Sequence, residues 1–104
     1  MIRHVVMLRL QDAPGETLAQ VMQGLDDLKA ELPGLTDFQH GPNIDAEGKS
    51  PDFPYGFICT FADRAALDTY AADPRHRALG ARLVALCEGG ADGILVYDID
   101  SGAV

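Results

Sequence analysis

Apolar and polar positions alternate with two different periods along this chain. In the first ten residues Ile2, His4, Val6, Leu8 and Leu10 fall on one side and Arg3, Val5, Met7 and Arg9 on the other, which predicts a strand over Ile2–Leu10. Pro14-Gly15 breaks that pattern. From Thr17 to Glu31 the spacing becomes helical, with Leu18, Val21, Met22, Leu25, Leu28 and Leu32 on one stripe, and Pro33-Gly34 ends it. Leu35–His40 reads as a strand closed by Gly41-Pro42. Asn43–Pro54, polar and carrying Pro51 and Pro54, reads as a loop and the least ordered internal segment. Tyr55–Phe61 alternates with both rows apolar, which predicts a central strand covered on both faces. Asp63 is a fitting N-cap for a short helix from Arg64 to Tyr70. Asp73-Pro74 then opens a second helix, to about Cys87, whose stripe is His76, Leu79, Leu83 and Leu86. Gly89-Gly90 stops it, and Gly93–Ile99 is the last strand, with Ile94, Val96 and Asp98 opposite Leu95, Tyr97 and Ile99.

The order β–α–β–β–α(broken)–β predicts an α+β, ferredoxin-like sandwich: a four-stranded antiparallel sheet with helices on one face. A chain of 104 residues without linker or repeat makes one domain over residues 1–104. The second sheet face then carries Val5, Met7, Ile58, Leu95 and Tyr97, or else their opposite rows, with nothing to cover them, so a second copy packed sheet to sheet is expected.

Charge narrows the partners. Eight Lys+Arg against 16 Asp+Glu give a net charge of −8, which argues against nucleic acid and anionic membranes. No stretch approaches the ~20 apolar residues of a membrane span. The opening segment, interrupted by Arg3, His4 and Arg9, is no signal peptide, and two cysteines make no disulfide scaffold, so a reducing cytoplasm is expected. Asn43-x-Asp45-x-Glu47-Gly48 imitates a calcium loop, but Pro54 stands where the bidentate Glu belongs. His4, His40 and His76 have no metal-ligand spacing, and no cofactor or metal is expected.

Three segments converge on a known pattern: MIRHVVMLRL at the start, GFICTFADRAALDTYAADPRHRAL past the middle, and the closing strand GILVYDID. Together they resemble the stress-responsive dimeric α/β-barrel (Dabb) family, whose motif is matched by Phe61, Asp63, Leu67, Tyr70, Pro74 and His76. Asp73 departs from it, standing where the family's His-Pro-x-His has its first His. The resemblance implies a homodimeric barrel of two four-stranded sheets with helices outside. One member is a plant polyketide cyclase, whose acid/base residues fall here on His4, Tyr70 and His76.

The residues themselves allow that role. His4 and His76 lie on the apolar rows of their elements, and His is the side chain that titrates nearest neutral pH. Burial and the helix N-terminus favour a neutral His76, as a general base requires, while Asp73 opposes them. Tyr70 sits at the helix break, where small Ala71 and Ala72 leave room for a cavity mouth. Arg75 and Arg77 are expected in solvent, free to draw a carboxylate toward that mouth. The expected function is binding or cofactor-free, cyclase- or lyase-like conversion of a small hydrophobic carbonyl compound between helices and sheet. Two alternatives share the fold: a non-catalytic stress-tolerance protein that acts by self-association, and a monooxygenase-like relative, disfavoured by the absence of Trp.

Overall fold

A computed structural model describes residues 1–12 and 14–102. Strand β1 is Ile2–Leu8, helix α1 Gly15–Asp27, β2 Leu35–Pro42, β3 Tyr55–Phe61, α2 Arg64–Ala72, α3 Pro74–Leu86 and β4 Ile94–Asp100. One antiparallel sheet runs in the order β2-β3-β1-β4, the ferredoxin-like arrangement. Each helical crossover skips one strand, which places β1 and β3 at the centre.

The alternation predicted for the strands is the alternation observed. Ile2, Val6 and Leu8 of β1 join Phe57, Cys59 and Phe61 of β3 on the helix side, all buried. Val21, Met22 and Leu25 of α1, Tyr70 of α2 and Leu83 of α3 close over them. Burial of this size supplies most of the driving force, at roughly 25 cal/mol per Å² of apolar surface. Gly24 in mid-helix lets α1 approach α3: a Cβ there would meet Leu79 Cδ2 at 2.7 Å.

Several boundaries differ from the sequence pattern: β2 runs on through Gly41-Pro42, α1 starts at Gly15 and β4 reaches Asp100, and three further shifts have a local reason. β1 stops at Leu8, and Leu10 makes an isolated bridge to Cys87 instead. α1 tightens after Asp27 into a 3₁₀ turn, Leu28–Ala30, ahead of Pro33. α2 runs two residues beyond Tyr70, to Ala72, before Asp73 turns extended. The caps are as expected. Asp63 accepts from Ala66 N–H at 2.9 Å, and Asp73 accepts from Arg75 N–H at 2.8 Å with Pro74 in the first turn.

The segment between β2 and β3 has neither helix nor strand but is cross-braced. Asp45 Oδ2 accepts from the backbone N–H groups of Lys49 at 2.6 Å and Ser50 at 3.0 Å, and Oδ1 from Glu47 N–H at 2.9 Å. Asn43 Nδ2 donates to Ser50 O and Phe53 O. Short Asx side chains here replace the backbone ladder that the prolines forbid.

Candidate functional site

The three predicted residues meet on the helix side of the sheet. His4 projects from the middle of β1, and Tyr70 and His76 flank the break between α2 and α3. Tyr70 is fully buried. Its ring centroid lies 4.0 Å from that of His76 and 5.9 Å from that of His4. The phenol ring therefore packs against both imidazoles, in the space between helices and sheet where a cavity is expected.

His4 has a partner that the sequence reading placed on a strand face without a role. Register pairs His4 with Asp98 on β4, and His4 Nδ1 lies 2.5 Å from Asp98 Oδ1. An ionised carboxylate only accepts, so Nδ1 carries the proton and points it at Asp98. His4 is 14% exposed and Asp98 43%, which places the pair at the rim of the helical layer. Cys59, opposite His4 on β3, donates from Sγ to the Tyr70 hydroxyl at 3.7 Å. Burial pushes the Cys59 thiol up to about 12, so it stays protonated. Burial likewise raises the Tyr70 phenol, which keeps it a neutral hydrogen-bond donor.

His76 is the exception to polar satisfaction. Its Nδ1 is buried with no hydrogen-bond partner among the described residues. Desolvation lowers its pKa; the Ala71 carbonyl and Asp73 carboxylate oppose this, and burial wins. A neutral His76 follows, as expected. Asp73 is occupied elsewhere. Hydrogen bonds from the Arg75 side chain, with the backbone N–H groups of Arg75 and His76, hold its carboxyl at about 2. Arg75 is half-exposed, as expected, but it is not free, since it pairs with Asp73 at 2.8 Å and with Glu31 at 3.0 Å.

A separate groove of about 680 Å³ opens elsewhere, lined by Val5, Met7 and Ile58 of the outer sheet face and by Ile44 and Phe53 of the β2–β3 loop. His40 and Tyr55 stand at its edge, with Nδ1 2.6 Å from the phenol oxygen. Among the described residues no group of three or more His, Cys, Asp or Glu side chains converges as a metal site. No helix among them is long and apolar enough to cross a membrane.

Comparison with known proteins adds to this geometry. The sequence model of a family described as Stress responsive A/B Barrel Domain matches residues 2–101. A dimeric ferredoxin-like protein of unknown function from Jannaschia sp. CCS1 is 52% identical, with 95% of this chain and 97% of that one covered and a TM-score of 0.90. An Arabidopsis thaliana protein superposes with a TM-score of 0.84 at 21% identity, over 100% of this chain and 98% of that one. The hydroxynitrile lyase of Passiflora edulis does so at 0.79 with 17% identity, over 99% and 96%. Comparison with curated proteins finds no match.

Proposed function

The chain belongs to the stress responsive A/B barrel domain family, and from that membership we propose a one-domain homodimer that binds and converts a small hydrophobic carbonyl compound by cofactor-free acid–base chemistry. The observation that carries this reading is the partnerless, buried Nδ1 of His76. Leaving such an atom unpaired costs about 1–3 kcal/mol, a cost that a ligand hydrogen would remove.

In this reading neutral His76 takes a proton from the carbon next to the carbonyl. The enolate oxygen that develops is held by the Tyr70 hydroxyl and, when Nε2 also carries a proton, by the His4 ring. Asp98 fixes the tautomer of His4, with Nδ1–H toward the carboxylate. The Tyr70 hydroxyl accepts from Cys59 Sγ, which leaves its own proton to donate. A developing oxyanion gains most from donors already in place. The Passiflora edulis protein that shares this fold is a hydroxynitrile lyase. The dimer rests on the dimeric relative from Jannaschia and on the uncovered apolar face of this sheet. Free, buried Cys59 and Cys87 fit a reducing cytoplasm.

One observation favours a second, non-catalytic reading: the Tyr70 ring itself fills the space between the imidazoles. Proton exchange separates the two. Small ketones and β-dicarbonyl compounds in deuterated buffer should lose their α-hydrogen signals faster with the wild type than with His76→Ala or Tyr70→Phe. Equal rates for all three, with no movement of the His76 ring resonances on adding the carbonyl compounds, would leave self-association as the function.

A further inference from the structure

Two glycines lie in the interior of the helices that cover the sheet, and packing accounts for one of them. Gly24 of α1 lets Leu79 of α3 approach, as described above. Gly80 of α3 has no such neighbour. It is half-buried, yet a Cβ there meets nothing within 4 Å among the described residues. Its φ is not positive, so an alanine would fit and would favour the helix. The fold therefore keeps an open space beside Gly80 at some loss of helix stability.

That space lies next to the His4 site. Three contacts mark the flank of α3 that faces α1: Leu79 packs on Gly24, Arg82 donates to Gln20 at 2.9 Å, and Arg75 pairs with Glu31. Gly80 is turned about 100° from Leu79, away from that flank, and stands one turn past His76. Helix α1 lies toward β2, so the flank turned from it is the one toward β4, at the other edge of the sheet. On the helix side of β4 strand register sets Val96 in a row with Val6 and Phe57, beside the row of His4 and Asp98. Val6 and Phe57 are buried, but Val96 is 48% exposed, and half-buried Ile94 continues the same apolar floor. An apolar shelf and a missing side chain thus occur together, within reach of the two imidazoles.

We infer that this margin between α3 and β4 is an apolar subsite for the substrate. The chain or ring attached to the carbonyl lies on Val96 and fills the space beside Gly80, and the carbonyl reaches His4. Gly80 is then a specificity-determining residue, because the side chain it lacks is replaced by the substrate's own. The inference rests on the function proposed above and names its substrate class: a carbonyl compound with one extended apolar substituent.

Chain length and glycine replacement test it together. Exchange of α-hydrogens is followed in deuterated buffer for methyl ketones whose second arm grows from methyl to heptyl. In the wild type kcat/KM should rise by up to about 4-fold per methylene that becomes buried. Gly80→Leu should lower the heptyl-to-methyl rate ratio about 10-fold, and Gly80→Ala about 3-fold, while both raise the urea midpoint. A glycine needed for packing would give the reverse, a lower midpoint and an unchanged ratio, and would overturn the inference. Binding has a readout besides turnover: the Val96 methyl resonances should shift with the heptyl ketone and much less with acetone. That shift without any α-exchange supports the subsite and overturns only the conversion proposed above. Exchange by the wild type with the same ratio in Gly80→Leu, or no Val96 shift, overturns the subsite alone.

Discussion

The two faces of the sheet carry similarly apolar residues and meet opposite fates. On the helix side Phe57, Cys59 and Phe61 are at most 5% exposed, while on the outer side Ile58, Leu95 and Tyr97 are 36–63% exposed. Composition does not distinguish them; what covers them does. The helical layer also ends before the sheet does. Val96 points to the helix side and is still 48% exposed, so α1–α3 stop short of β4. His4 and Asp98 bridge that margin, where a polar pair keeps contact with water and also touches the core. The inner face is thus completed within one chain, with its polar site at the edge, whereas the outer face is completed only by assembly.

The largest effect that can break this contrast comes from truncating one tyrosine on each face. Tyr70→Ala should cost about 3–5 kcal/mol in urea unfolding, as large-to-small core substitutions do. Tyr97→Ala should change protomer stability by less than about 0.5 kcal/mol and should act on association instead. Comparable losses of protomer stability would mean that the outer face is already covered within the chain.

Asp98→Asn probes the margin between the two faces. With Asp98 43% exposed, solvent screens the pair, and the expected loss is about 1 kcal/mol or less, well below the several kcal/mol of a buried ion pair. A loss above about 3 kcal/mol would place His4 and Asp98 inside the core. The same substitution should slow any carbonyl α-exchange more than it lowers stability, because it removes the acceptor that fixes the His4 tautomer.

Much of this was legible in the chain. Strand alternation fixes which residues share a face, and Asp63 and Asp73-Pro74 announce both helix starts, because these are local matters of period and capping. The meeting of His4, Tyr70 and His76 was also readable, since each sits on an inward row or at the break. Register was not readable. Asp98 shows in sequence only as an acid in the row of Ile94 and Val96, and pairing β4 with β1 is what gives His4 its partner. The position of the Tyr70 ring between the imidazoles depends on rotamer and packing, which periodicity does not encode. Arg75 escaped for the same reason, because Glu31 reaches it from just beyond the distant 3₁₀ turn.

Acid titration sharpens the comparison with a smaller effect. Desolvation lowers the His76 pKa, so in the unfolded chain this ring takes up its proton first, near the usual ~6.5. The stability tied to neutral His76 is complete above that value and declines as pH falls below it. Wild type should therefore lose stability between about pH 7 and 5 more steeply than His76→Gln. Asp73 acts lower down. Its contribution is complete above the ~3.9 of an unfolded Asp and disappears as pH falls toward its folded value of about 2. Identical profiles for wild type and His76→Gln above pH 5 would show that the ring is hydrated, which removes the basis for its role as a base.

The smallest expected effect lies at the β2–β3 loop, which borders the outer face. Polar, proline-bearing composition predicts fast amide exchange across Asn43–Pro54, yet Asp45 accepts from three of its backbone N–H groups. Those bonds favour the carboxylate and lower the Asp45 pKa, with the Glu47 N–H as the largest contribution. The brace is therefore complete above the ordinary Asp range and loosens as pH falls through the depressed value. At neutral pH the amides of Glu47, Lys49 and Ser50 should exchange more slowly than that of Ala46, and Asp45→Ala should release all three with little change in global unfolding. The position of Ile44, 90% exposed beside this brace and on the lip of the groove, makes the consequence specific. If the loop rim borders the dimer interface, Asp45→Ala should weaken association severalfold while the protomer keeps its fold. Unchanged association together with faster exchange would confine the interface to the strands, with the loop outside it.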